Sequence, residues 1–378
     1  MKHTLLTYTV ILLLIACSPS KESKMDYSKI TFSMDTVILD SKDEILFLKS
    51  WLSSTDLSED KKYLYNFNND NHTLEIIDLD NHVFHRRISY EKEGPDGVGN
   101  YVQSVFVIDS DRLLINSFMQ SGVFDIEGKK IQDINLKNLT GDALNRGEML
   151  NHQMMHPKFP NQLVGIYNDF SFQSVQIGKI NPIQNVVKKI PLDNFGYLKD
   201  FFTQWIGDSG YPEAFMGPVL YRTVFHDKVV ISHSIANEVY IYDLEKDSVY
   251  YQDLKLNSIS DRKTGKYPKE VGSKAAFFST LKDYGSEISF QKPIWDSENE
   301  VFYRFANTNI YKEIDGEWKT EEADVYLIIL DKDFNVLAET KVESFRKTPR
   351  YHFAKDGKIW IFENMDDEMA FVRLSIMP

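Results

Sequence analysis

The residues able to do chemistry gather in a few places. Glu91 to Tyr101 reads Glu-Lys-Glu-Gly-Pro-Asp-Gly-Val-Gly-Asn-Tyr. Its glycines permit backbone angles closed to other residues, so the segment can fold tightly and present Glu93, Asp96 and Asn100 to a cation or a polar ligand. The same composition also suits a purely structural crossover. The spacing is not that of a dinucleotide fingerprint, and no Gly-Lys-Ser/Thr follows for a phosphate loop. A second concentration runs from Phe195 to Phe215, where Tyr197, Phe201, Phe202, Trp205 and Tyr211 mix with Asp208 and Glu213. Aromatic faces rimmed by carboxylates suit a sugar or a peptide, with Trp205, Asp208 and Tyr211 as the candidate contacts. The competing expectation is that a long loop needs its own small core. His152 and His156 stand four apart, but no acid lies between them and Pro157 follows, so metal ligation has little support. Asp56, Glu93 and Asn151 are the residues available to a cation in a central channel. No catalytic residue and no cofactor is assigned.

These residues need a scaffold, and the chain supplies one in short apolar runs separated by turn signals, an all-β pattern. One unit recurs. Its second strand is recognisable at Tyr63–Phe67, Leu113–Ser117, Leu163–Tyr167, Val229–His233, Val301–Phe305 and Ile359–Phe362. Third strands follow at Leu74–Leu79, Gly122–Ile126, Ser174–Ile180, Val239–Leu244, Val325–Leu330 and Ala370–Ile376, several of them ending in an acidic turn. Fourth strands follow in five of the six units. Four antiparallel strands repeated at intervals of 50 residues or somewhat more predict the blades of a six-bladed β-propeller over 29–378. The last unit lacks a fourth strand, and the spare strand Ile30–Leu39 is expected to supply it and close the ring. On this topology one face carries tight turns. The other carries the long crossovers 91–100, 139–151, 195–218 and 257–291 and a long loop expected at 307–324. That elaborated face is the expected binding face.

Composition limits the function classes. The 378 residues carry 43 Lys and Arg against 56 Asp and Glu, a net charge of −13 that argues against nucleic acid as a partner. The single cysteine, Cys17, excludes an intramolecular disulfide.

Three resemblances add to this. Leu14-Ile15-Ala16-Cys17, after a short basic start and an apolar run too short to span a bilayer, resembles the lipobox of bacterial lipoproteins. It implies a signal peptide over 1–16, acylation of Cys17, a tether over 17–28 and a lipid-anchored place in the cell envelope, most simply the outer membrane with the body periplasmic or surface-facing. Gly207-Asp208-Ser209-Gly210 resembles the nucleophile segment of chymotrypsin-like proteases, but Tyr211 follows and no histidine context matches. The lipobox, Tyr63-Leu64-Tyr65-Asn66-Phe67-Asn68, Ile77-Asp78-Leu79-Asp80 and Glu93-Gly94-Pro95 together resemble the uncharacterised Bacteroidetes lipoprotein family DUF4221, and the crossover is similar to that of six-bladed propeller lipoproteins. The resemblance implies a propeller and an envelope address and carries over no catalytic residue. The functional expectation is a non-enzymatic binder of a glycan or an envelope protein. The alternatives are a metal-dependent propeller enzyme of lactonase or lyase type, and a structural subunit of an outer-membrane complex.

Overall fold

The computed structural model describes residues 27–377, apart from 118–119, 143–146 and 315–316. Cys17, the expected signal peptide and nearly all of the tether lie outside the described residues. The fold is all-β, built mainly of antiparallel sheets, with one helix of appreciable length among the described residues, Lys274–Ser286.

Among the described residues, six sheets share one meander. Sheet one is Thr55–Leu57, Tyr63–Asn68, Thr73–Asp78 and Val83–Ser89; sheet two is Val102–Val107, Arg112–Ser117, Ser121–Asp125 and Lys130–Ile134. Sheet three is Glu148–Met155, Leu163–Asp169, Val175–Asn181 and Val186–Pro191, with Thr140–Gly141 added in parallel to its outer edge. Sheet four is Leu220–Phe225, Lys228–His233, Glu238–Asp243 and Ser248–Asp253. Sheet five has a first strand in two pieces, Ser289–Phe290 and Ile294–Asp296, before Val301–Ile314, Glu317–Leu330 and Val336–Lys341. Sheet six is His352–Lys355, Lys358–Met365 and Glu368–Met377, and its fourth strand is Thr31–Ile38 from the other end of the chain. That last pairing is antiparallel and runs without a break from Thr31 opposite Met377 to Ile38 opposite Ala370.

Burial explains why the middle strands were readable. Thr73–Asp78 and Glu238–Asp243 are buried along their whole length, whereas Ser248–Asp253 alternates between exposed and half-buried positions. Strands covered on both faces become continuous apolar runs; outer strands do not. The acidic turns have a local cause as well. Asp78, Asp125, Asp243 and Asp331 each accept backbone N–H groups from residues two to four further on, which fixes the turn into the fourth strand.

Consecutive sheets are joined through their first strands. The Val107 N–H donates to Asp56 Oδ2 at 2.8 Å, and Ser54 Oγ donates to the Val102 carbonyl at 3.1 Å. Arg222 Nη1 donates to the carbonyls of His152, at 3.1 Å, and Gln153, at 2.5 Å; Thr223 Oγ1 donates to Pro293 O at 2.5 Å. Sheet six meets sheet one through the Asp40–Val83 bridge, the Lys355–Asp80 ion pair at 2.6 Å and a shared apolar cluster around Leu64, Ile77, Phe353 and Trp360. Sheets four and five share a buried polar knot. Arg304, fully buried, donates to Asn237 Oδ1 and to the carbonyls of His233 and Gln291 at 2.9 Å each. Burial pushes its guanidinium down to about 10.

Three loops hold structure that the sequence pattern did not reveal. The segment 307–324 is not a loop: Val301–Ile314 and Glu317–Leu330 continue as a long antiparallel pair, from Phe302 opposite Leu330 outward to Ile314 opposite Glu317, with one bulge between Ile310 and Tyr311. Its outer part leaves the body and loses burial, so the apolar run that marks a strand disappears. The crossover 195–218 contains the hairpin Thr203–Ile206 with Pro212–Met216, extended in parallel by Glu270–Val271. The crossover 257–291 contains the helix, started by Ser273, whose side chain accepts the Ala276 N–H at 3.2 Å.

Candidate functional site

The glycine-rich crossover folds back on itself. Val98 N–H donates to Glu91 O at 2.8 Å and Gly99 N–H to Lys92 O at 3.0 Å, with Gly94 and Gly99 at φ of 91° and 88°. Gly97 is needed for a different reason: a Cβ there would meet the Glu93 backbone at 2.7 Å. Asp96 is turned inward and accepts the Lys130 N–H at 3.0 Å, while Glu93 and Asn100 are exposed.

In the third crossover, Gly207 to Tyr211 forms the tip of the small hairpin, with Gly207 N–H donating to Tyr211 O at 3.2 Å. The protease-like tetrapeptide is therefore a turn, with Asp208 exposed and Tyr211 75% exposed at its tip. Trp205 is half-buried and faces Phe277 of the helix, with ring centroids 6.5 Å apart. Glu93 and Asp96 thus sit on the crossover between sheets one and two, and Trp205, Asp208 and Tyr211 on that between sheets three and four. Among the described residues no hydrogen bond or ion pair joins the two groups. His156 faces Asp227 on the tight-turn side, while His152 sits in a bulge of Glu148–Met155, at a φ of 53°.

That bulge leads to a site of which sequence reasoning singled out only Asn151, as a channel residue, and His152. A cavity of about 350 Å³ opens on the long-crossover side, where sheets one to four converge. Its wall is rich in amides: Gln103 and Asn116 come from sheet two, Asn151, Gln153 and Asn168 from sheet three. Asn116 is 1% exposed and donates to Ser104 Oγ at 3.1 Å, but among the described residues its carbonyl Oδ1 has no hydrogen-bond partner. Asn151 donates to Asn168 Oδ1 at 3.0 Å. A buried acceptor left unpaired costs about 1–3 kcal/mol, so such a group marks a place where a ligand or water completes the structure. Phe172, Pro218 and Val219 give the wall an apolar side. It continues outward: a Cβ on Gly217 would touch both Phe172 and Phe202, and Phe202, Phe170 and Phe215 form an aromatic cluster in which Phe170 and Phe215 lie 4.1 Å apart. Phe170 is 42% exposed and Phe215 56%.

Deeper between the first strands lies a charged layer. Asp56, Arg222 and Lys292 are enclosed by the protein yet keep part of their surface accessible, as groups lining an internal space do. Burial raises the Asp56 carboxyl above its usual range, with Arg222, Lys292 and the Val107 N–H opposing. Burial, with the Arg222 and Lys292 charges, holds the His152 imidazole down at about 4, so it is neutral at ordinary pH. Among the described residues no group of three His, Cys, Asp or Glu side chains is placed to hold a metal ion.

The residues of this cavity are drawn from five strands and the loops beside them, spread from Ser53 to Leu220, and apart from His152 none belongs to a motif. The one signal available was the density of Asn and Gln at the ends of strands that are otherwise apolar.

Comparison with known proteins gives the family and the fold. A comparison with curated proteins finds no match. The chain is similar in structure to a DUF4221 member from Bacteroides vulgatus, at 15% identity and a TM-score of 0.65, covering 93% of this chain and 99% of that one. Looser likenesses are to a luciferin-regenerating enzyme (8% identity, TM-score 0.43, covering 85% and 90%) and to the Cps50 (Swd1) β-propeller domain of Myceliophteria thermophila (9%, 0.40, covering 85% and 95%); neither is close enough to carry an argument. The family model described as a domain of unknown function, DUF4221, matches residues 28–341, and the chain belongs to that family.

Proposed function

We propose that this chain is a lipid-anchored cell-envelope protein whose six sheets are the blades of a β-propeller, closed by Thr31–Ile38, and that it binds a glycan on its long-crossover face without transforming it. The blade reading is supported by the shared meander, the contacts between consecutive first strands and the pairing of the two chain ends. The lipid anchor and the envelope address rest on the lipobox resemblance at Cys17.

The observation that carries the binding reading is the composition of the 350 Å³ cavity: convergent amides, one buried carbonyl oxygen without a donor, and an aromatic wall running out to exposed rings. Amides offer both donors and acceptors to hydroxyl groups, and ring faces cover the apolar C–H surfaces of a sugar. A metal-dependent reaction fits less well. The one carboxylate in the deeper layer, Asp56, already accepts a backbone N–H and faces two cations that would repel a metal ion.

A glycan array followed by calorimetry tests this. Gln103→Ala and Phe172→Ala should each weaken a detected glycan by about 5- to 30-fold, the loss of roughly 1–2 kcal/mol, with thermal stability nearly unchanged. An array with no ligand, or variants that bind like wild type, would refute the site.

A further inference from the structure

The layer beneath the cavity carries more cation than anion. Arg222 and Lys292 face the same space, and Asp56 is the single carboxylate acting on both. The Arg222 guanidinium lies over the Phe106 ring, 4.5 Å from its centroid, and Nη1 donates to the carbonyls of His152 and Gln153, which themselves line the cavity. Among the described residues its Nε is buried without an acceptor and Nη2 has none. Lys292 has no ion pair among the described residues; its Nζ lies 5.3 Å from the centroid of the Tyr351 ring. His152 is neutral and adds no charge. Burial pushes both Arg222 and Lys292 below their usual range, with Asp56 opposing, so their charged forms are held at a cost. Two enclosed cations sharing one carboxylate are costly, and an anion entering from the cavity would relieve the cost.

We infer that the glycan bound here is acidic, and that its carboxylate reaches past the amides to Lys292 and the free edge of Arg222. The inference rests on the glycan reading above and narrows it to sugars that carry a carboxylate, such as uronic acids. The neutral rings lie against the amides and the aromatic wall, and the carboxylate is read one layer deeper. The negative exterior does not attract such a ligand, so recognition depends on this local pair.

The test compares a galacturonate oligosaccharide with the neutral galactose oligosaccharide of equal length, by calorimetry on wild type and on Lys292→Met. Lys292 is the residue to change because its ammonium makes no hydrogen bond among the described residues, whereas Arg222 also fastens sheet four to sheet three. The acidic sugar should bind wild type at least about tenfold tighter than the neutral one, and Lys292→Met should abolish that preference while leaving the neutral sugar unaffected. Equal binding of the two sugars to wild type, or an undiminished preference in Lys292→Met, overturns the acidic assignment and leaves the glycan reading standing. Binding of neither overturns both.

Discussion

Lys263 allows a quantitative test of how the long-crossover face is held together. It is 2% exposed, and its Nζ donates to Tyr284 O at 2.6 Å and Glu287 O at 3.2 Å, the carbonyls at the C-terminal end of the helix Lys274–Ser286. Burial pushes the ammonium down to about 7, with the Glu287 carboxylate pulling the other way. In the unfolded chain a lysine titrates near 10.4. Between pH 7 and about 10.4 the unfolded state therefore binds the extra proton, and stability rises with pH across that window. It is greatest above the unfolded value and falls as pH drops toward 7. One proton corresponds to about 1.4 kcal/mol per pH unit, so wild type should gain roughly 2–3 kcal/mol between pH 7.5 and 9.5 from this group alone. Other groups titrate in the same range, and Lys263→Met isolates the term. The methionine keeps the apolar stem against the Tyr284 ring and has no proton to exchange. Urea denaturation of both proteins at a series of pH values gives the difference directly. If wild type does not gain at least about 1 kcal/mol relative to Lys263→Met as pH rises from 7.5 to 9.5, Lys263 is not neutral in the folded state and the reasoning fails.

The pairing of the chain ends makes a second prediction. Leu39 N–H donates to Met369 O, so by the two-residue period Val37 points its amide into the Glu368–Met377 ladder and Ile38 points its amide away. Val37→Pro should therefore cost about 2–4 kcal/mol and Ile38→Pro clearly less, as read by thermal unfolding; equal melting temperatures would contradict the register. A third prediction concerns the anchor: Cys17→Ser should move the protein from the detergent phase to the aqueous phase in detergent partitioning of whole cells, and its retention with membranes would refute acylation at this residue.

What the sequence disclosed follows burial. The second strands of all six sheets lie at the positions their apolar runs indicate, because each is covered on both sides. The turns after the third strands were visible because Asp78, Asp125, Asp243 and Asp331 cap them locally. The outer hairpin beyond Asn307 was not visible, since pairing without burial leaves no apolar signature. The helix was also missed. Only Phe277, Tyr284 and Gly285 are buried in it, so it shows almost no apolar stripe, and its one local mark is the Ser273 cap.

The cavity escaped for a different reason, and that reason bears on how such proteins diversify. Motif reading favoured the glycine-rich crossover and the aromatic loop because each is a local cluster in sequence. In the structure the first is held by its own backbone hydrogen bonds and by Asp96 on Lys130, and the second supplies a wall through Phe202, Phe215 and Val219. The polar groups that face the cavity stand in groups of one to three on strands from successive sheets. Each strand keeps the apolar residues its packing requires and spares one or two positions near its end for an amide or a charge. Substitution at Gln103 or Lys292 can then change the ligand without disturbing the meander that carries it. Positions such as Arg222 cannot vary as freely, because the same side chain also links two sheets. Ligand choice in this fold should therefore sit with those residues lining the first-strand space that make no bond to a neighbouring sheet.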